Sequence, residues 1–405
     1  MRRLVPRSLL ARTALVYLAL RLLSGVMIAV AATHQVPFLY WTDSHVDYLD
    51  LTVMWDGGWY RQIAEHGYPT TLPVGLDGRV MQNEWAFYPL YPAIVRVAVD
   101  LTGAGFPALA GGVSLLLGLG AALAMVQVLR RRLGDGPALA TTAVWAASPA
   151  APALQLAYTE SLAILLLCGF LLAVQRRWWV GAGVLGTAIG LARPIAVPLG
   201  VVLVVALVAD LRCRRLRPPA QRDPWRGSDV AARVVGLLGC VAGAVAWPAI
   251  AGWVSGVPDA YPRTMASWRV SGDIVPLRPW LDLGRWLFPR LEHQERASLL
   301  AVVVMVLAWL LLTLGPGARR LGPVLRAWCL AYPAYLLLVL DPYTSLLRYL
   351  LPLFPLGAVL IGVAGTTRSP RWRERAGMLV VLGLVGQAVW IGELLVFVPP
   401  QDLPP

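Results

Sequence analysis

Apolar runs of about 20 residues, the length a helix needs to cross the roughly 30 Å hydrocarbon core of a bilayer, recur along this chain with arginine clusters between them. Each run reads as a transmembrane helix, because in lipid the backbone N–H and C=O groups must be satisfied inside the segment. Hydrophobic residues fill 58% of the 405 positions and charged residues only 14%, which excludes an ordinary water-soluble domain. The expected fold class is an all-α polytopic membrane protein. The net charge of +13 comes from arginine alone, since lysine is absent. Arginines placed between apolar runs orient helices and meet anionic headgroups, so nucleic acid is not an expected partner and membrane lipid is. Usage rich in Ala, Gly, Pro and Arg points to a GC-rich, bacterial genome.

The runs fall near 13–33, 107–129, 137–153, 160–175, 179–192, 194–210, 232–255, 297–314, 324–340, 347–365 and 376–398, giving about eleven spans, with ten to twelve as the range. The two short runs within 179–210 also fit one broken helix. The first run follows Arg2, Arg3, Arg7 and Arg12, which places the N-terminus in the cytoplasm. Small residues near Ala29–Ala32 imitate a signal cleavage site, but the run exceeds the roughly 7–15 residues of a signal core and is expected to be retained. Arg130-Arg131-Arg132, Arg176-Arg177, the basic linker 211–231, Arg319-Arg320-Arg326 and the cluster from Arg368 to Arg375 then lie inside. Outside lie the long first loop 34–90, the turn 150–159, the Arg193-Pro194 link, the second long loop 254–296, and 341–348. The whole chain reads as one integral membrane domain. Between the first two spans, Tyr91–Leu101 reads as an interfacial helix, with Arg96 and Asp100 four apart on one face.

The first outside loop concentrates the polar exceptions. As a helix starting near Val53, it puts Trp55 and Trp59 on one face and Asp56, Tyr60 and Ile63 on the next. Asp56 is then held at headgroup level, as a catalytic carboxylate or as a helix cap. Glu84 precedes Trp85, Phe87, Tyr88 and Tyr91 among prolines, an aromatic wall suited to sugar rings; its bland alternative is a first-turn acid favoured by the helix dipole. Tyr158-Thr159-Glu160-Ser161 brings a further carboxylate and hydroxyls to the same side, although capping accounts for much of that pattern. Arg193 and Arg348 sit in or beside apolar runs, where an arginine pairs with an anion; Asp341 is the ordinary partner for Arg348 and a phosphate the functional one. In the second loop Tyr261, Arg263, Trp268 and Arg269 are possible acceptor contacts. His34, His45, His66 and His293 and four scattered cysteines lack metal-ligand or disulfide spacing. Nucleotide-binding signatures and the serine triad are absent as well.

These blocks, taken together and in order, resemble the PIG-V family of membrane mannosyltransferases within the GT-C superfamily. The resemblance rests on Trp55-Asp56-Gly57-Gly58-Trp59-Tyr60 with Ile63-Ala64 and Gly67-Tyr68, on Glu84–Pro92, on Ser148-Pro149 with Ala157–Ser161, on Leu191-Ala192-Arg193-Pro194, and on Arg348-Tyr349 with Pro352. It departs from the family's eukaryotic pattern at Pro194-Ile195 and in the loop 254–296. The resemblance implies a GT-C-like fold and an inverting transfer of mannose from polyprenyl-phospho-mannose to a glycolipid or cell-wall acceptor, at the exoplasmic face of a bacterial plasma membrane. It implies Asp56 as the base, Glu84 and Tyr158 as orienting groups, and Arg193 and Arg348 on the leaving phosphate. Trp55, Tyr60, Tyr88, Tyr91 and Glu160 complete the expected substrate-binding set. No cofactor is implied beyond the lipid-linked donor; a divalent cation is compatible with such chemistry but has no ligand set in the sequence. The contrasting expectation, a secondary transporter or lipid flippase, calls for inverted repeats and broken helices meeting at the midplane, and no repeat is visible. A non-catalytic scaffold subunit would tolerate loss of Asp56 and Glu84.

Overall fold

In the computed structural model, which describes residues 8–36, 46–216, 218, 226–269, 272, 274–287, 294–397 and 405, the chain is helical, with one isolated antiparallel bridge between Val74 and Val80. Arg2, Arg3, Arg7, His45, His293, the middle of the linker 211–231 and parts of the loop 254–296 lie outside the described residues. The helices form two compact units, one of residues 1–67, 89–168 and 344–405, the other of 68–88 and 169–343.

The first unit opens with α1 (Leu9–Ala32), capped by Ser8, whose side chain accepts from the Ala11 N–H at 3.1 Å. Next come α2 (Tyr48–Thr52), closed by a capping box between Asp47 and Asp50, and α3 (Asp56–His66). The helix expected from Val53 starts three residues later. Trp55 takes φ 55°, a backbone conformation disfavoured for a bulky side chain, so it lies outside the helix and does not share a face with Trp59. Helix α4 (Leu90–Thr102) is amphipathic and carries the Arg96–Asp100 pair at 2.9 Å. Its 13 residues extend about 20 Å, too short to cross a bilayer. Helix α5 (Phe106–Leu133) runs on through the arginine triplet.

The span expected at 137–153 is interrupted. Helix α6 (Asp135–Ala146) stops before Ser148-Pro149, and a 3-10 turn follows at Ala151–Gln155, because a proline has no N–H to donate and pushes its predecessor out of the helical region. Helix α7 (Glu160–Gln175) follows and leads into the second unit.

In the second unit α8 (Trp179–Gly190) and α9 (Ala196–Arg215) are separate helices broken at Arg193-Pro194. Helix α10 (Gly227–Ser255) packs on α8 along a glycine seam, in which a Cβ on Gly190 would lie 1.9 Å from the Gly243 carbonyl oxygen and one on Gly239 2.3 Å from that of Gly183. Small residues in membrane helices allow such close approach. The unit continues through α11 (Ala260–Ser267), α12 (Arg278–Leu287), α13 (Gln294–Leu314) and α14 (Gly322–Val339).

The chain then returns to the first unit. The expected span 347–365 is instead α15 (Leu346–Leu350), a 3-10 turn at Leu351–Leu353 and α16 (Pro355–Leu360), each break set by a proline at the start of the following piece. Helix α17 (Trp372–Leu394) ends the fold. Seven helical stretches among the described residues are long and apolar enough to cross a membrane: Leu9–Ala32, Phe106–Leu133, Ala196–Arg215, Gly227–Ser255, Gln294–Leu314, Pro316–Val339 and Trp372–Leu394. Helices α7 and α8 are apolar but shorter. The protein is thus an all-helical membrane protein.

Candidate active site

The three motif blocks within the first unit converge on one charged cluster. Arg348 Nη1 donates to Asp56 Oδ2 at 2.8 Å and to Glu160 Oε1 at 3.2 Å, joining residues 292 and 188 positions away in the chain. Its Nη2 donates to Ser345 Oγ at 3.2 Å, and its guanidinium carbon stands 4.7 Å from the centre of the Tyr158 ring. Nε of Arg348 has no hydrogen-bond partner among the described residues. The side chains of Arg348 and Glu160 are 5% and 1% exposed, whereas that of Asp56 is 29% exposed. One cation between two carboxylates gives the cluster a formal charge of −1, and its open oxygens belong to Asp56.

Local sequence explains the convergence. Gly57, the second residue of α3, lets the helix start close to the 150s segment: a Cβ there would stand 3.2 Å from Ala157 Cβ and 3.3 Å from the Thr52 carbonyl oxygen. The Ala157 N–H donates to that same Thr52 oxygen at 2.7 Å. Tyr158 donates its hydroxyl to the Met54 carbonyl at 3.3 Å, and Tyr60 donates to Thr159 Oγ1 at 3.5 Å. Burial pushes the Tyr158 hydroxyl well above its ordinary range, with Asp56 adding to the effect and Arg348 opposing it, so the group stays protonated and a donor. Glu160 opens α7, where the helix N-terminus favours its charge. Arg348 is presented by α15, the short helix left between Ser345 and Pro352.

Two residues absent from the sequence-based site set hold the broken segment 146–156 in place. Arg21, buried within α1, donates to the carbonyls of Ala146 and Ala151. Gln387 on α17 donates to the Ser148 carbonyl at 3.2 Å and accepts from Ser24 at 2.6 Å. An arginine in the middle of an apolar run was the available signal for this role, because such a charge is costly unless engaged.

Other expected site residues lie elsewhere. Tyr91 is enclosed, its hydroxyl bonded to the Ala110 carbonyl and to Ser114 at 2.9 Å each, so it serves packing in the first unit. In the second unit Trp85 and Tyr88 belong to a buried cluster with Trp247, Ala251 and Ala260, and the Tyr88 hydroxyl meets that of Tyr261 at 2.8 Å. The expected aromatic wall for sugar is to this extent a protein core. Glu84, in the 3-10 turn Glu84–Ala86, is partly exposed, and its side chain has no hydrogen-bond or ion-pair partner among the described residues. Arg193 is buried in the α8–α9 break. Asp341 has its carboxyl raised by burial, an effect opposed by Arg269. Trp55 is half-buried at the strained step ahead of Asp56. No group of three His, Cys, Asp or Glu side chains able to hold a metal is found among the described residues.

No protein-family model matches the sequence, and no curated protein matches it. Among solved structures, the chain is similar to the crystal structure of the Archaeoglobus fulgidus oligosaccharyltransferase in complex with Zn and sulfate, with a TM-score of 0.46 and 13% identity over 95% of this chain and 53% of that one. The chain therefore spans about half the length of that protein.

Proposed function

We propose that this protein is a membrane-embedded glycosyltransferase of the GT-C type that moves mannose from polyprenyl-phospho-mannose to the hydroxyl of a glycolipid or cell-envelope acceptor, with inversion at the anomeric carbon. The observation that carries this reading is the meeting of Asp56, Glu160 and Arg348, from three separate motif blocks, with Asp56 alone turned outward. In the step, the acceptor oxygen attacks the anomeric carbon as the bond from that carbon to the phosphate oxygen breaks. Asp56 takes the hydroxyl proton and the polyprenyl phosphate leaves as the anion. Such a leaving group needs little acid assistance, so one positioned base and preorganised electrostatics suffice.

Burial divides the roles. Glu160 shares the guanidinium with Asp56 from the enclosed side, and Arg348, its guanidinium over the Tyr158 ring, holds the Asp56 carboxylate by a hydrogen bond. Arg348 is thereby a positioning residue for the base. Its Nε is the cationic group of the cluster offered to the departing phosphate. The active site is read as exoplasmic, on the plasma membrane of a bacterium.

The test is incorporation of labelled mannose from synthetic polyprenyl-phospho-mannose into an acceptor lipid extract, by purified protein in proteoliposomes. Mannosylated lipid with release of polyprenyl phosphate is the expected result. Movement of the lipid between leaflets with no sugar transferred would instead establish a flippase.

A further inference from the structure

Residues 72–81 form a short hairpin whose two faces differ in character. The Val74–Val80 bridge is framed by Met81 N–H to the Pro73 carbonyl and Gly75 N–H to the Arg79 carbonyl, both 2.9 Å, and Gly78 N–H returns to the Gly75 carbonyl at 3.0 Å. Side chains alternate across such a ribbon. Val74 and Val80, opposite each other across the bridge, therefore share one face, Gly75 and Arg79 take the other, and Leu76 and Asp77 form the turn between them. Leu76 at the tip is wholly exposed and Val74 more than half exposed. The charges are matched: Asp77 Oδ1 accepts from the Arg79 N–H at 3.0 Å, and the two side chains lie 4.0 Å apart.

The base of the hairpin is fixed to a membrane-crossing helix. Leu72 packs on the cluster of Trp85, Tyr88 and Trp247, and Trp247 on α10 donates to the Trp85 carbonyl at 3.1 Å. Tyr68 stacks on Trp85 at 4.7 Å, and Trp85 Nε1 closes the loop by donating to the Pro69 carbonyl at 3.0 Å. Six residues beyond Trp247, about 9 Å along the helix, Trp253 is exposed on α10. An exposed tryptophan near the end of an apolar span sits at headgroup level. The hairpin thus starts on a cluster anchored to a spanning helix near the interface and ends at an uncovered leucine.

We propose that the hairpin is a membrane-docking finger whose Leu76 tip and Val74–Val80 face enter the upper acyl region of the adjacent leaflet, with Asp77 and Arg79 toward the headgroups. The partner is the lipid bilayer itself. Because Asp77 and Arg79 offset one another, docking does not require anionic lipid.

The experiment places a nitroxide at position 76 (Leu76→Cys, with the exposed Cys213→Ser; the other three cysteines are buried) in phosphatidylcholine nanodiscs, and compares electron-spin relaxation by oxygen and by a water-soluble nickel chelate. Leu300→Cys on α13 provides the lipid reference and Arg132→Cys the aqueous one. The proposal predicts oxygen contact close to that of the lipid reference with little nickel contact, unchanged when phosphatidylglycerol is added. Nickel contact like that of the aqueous reference overturns it. A label immobilised and shielded from both reagents also overturns it, because the tip is then covered by protein, a second copy or another chain.

Discussion

Of the three charged groups that meet at the start of α3, Asp56 alone is open, and this difference in burial separates the roles that like carboxylates would otherwise share. Glu160→Gln keeps the shape but removes the second negative charge on Arg348. It is expected to slow turnover more than it changes KM for the donor, read by steady-state assay, since it alters how the base is held. Arg348→Ala leaves Glu160 enclosed without its guanidinium and is expected to cost about 3–5 kcal/mol of stability, seen as a lower unfolding temperature in detergent. Arg348→Lys retains charge but not the fork that reaches both carboxylates and Ser345, so it recovers stability without recovering full activity. Equal activity for the alanine and wild-type proteins would remove Arg348 from the site. The acidic and basic members of the cluster were legible as motif residues, but their pairing was not. Asp341 and a phosphate were the partners weighed for Arg348, and its carboxylates lie 292 and 188 positions away. The burial of Tyr88 and Tyr91 was not legible for a related reason: an aromatic run beside a polar loop has the same composition whether it lines a cleft or fills a core.

At the level of elements, the long apolar helices were readable because lipid imposes a length and a composition on each. Their ends and breaks depended on proline, which is why 137–153 and 347–365 come apart where Pro149, Pro152, Pro352 and Pro355 stand. Those breaks make the site: the first lets the chain turn to present Tyr158 and Glu160, the second leaves α15 free to present Arg348. Close helix contacts were not readable, since a glycine in an apolar run looks alike in a seam and in lipid. The distinction is testable by a pair of substitutions. Gly190→Ala puts a Cβ into the Gly243 carbonyl and is expected to destabilise by about 1–3 kcal/mol. Gly112→Ala on α5 meets nothing within 4 Å and is expected to be neutral or slightly stabilising. Thermal unfolding of both proteins in one detergent checks the contrast.

For the whole molecule, the arginine clusters predict the sidedness on which an exoplasmic site depends. Cys213, exposed at the end of α9 within the arginine-rich stretch, provides the check. A membrane-impermeant maleimide is expected to label it only after the membrane is opened, and labelling in intact cells would reverse the orientation. Within that frame the central claim is that Asp56 removes the acceptor proton. Its most direct test is mannose transfer by wild type and Asp56→Asn in proteoliposomes supplied with polyprenyl-phospho-mannose, with unfolding temperature measured on the same preparations. The predicted result is a fall in turnover of about 10²–10⁴ at preserved folding. A folded Asp56→Asn protein that keeps most of its activity would contradict it.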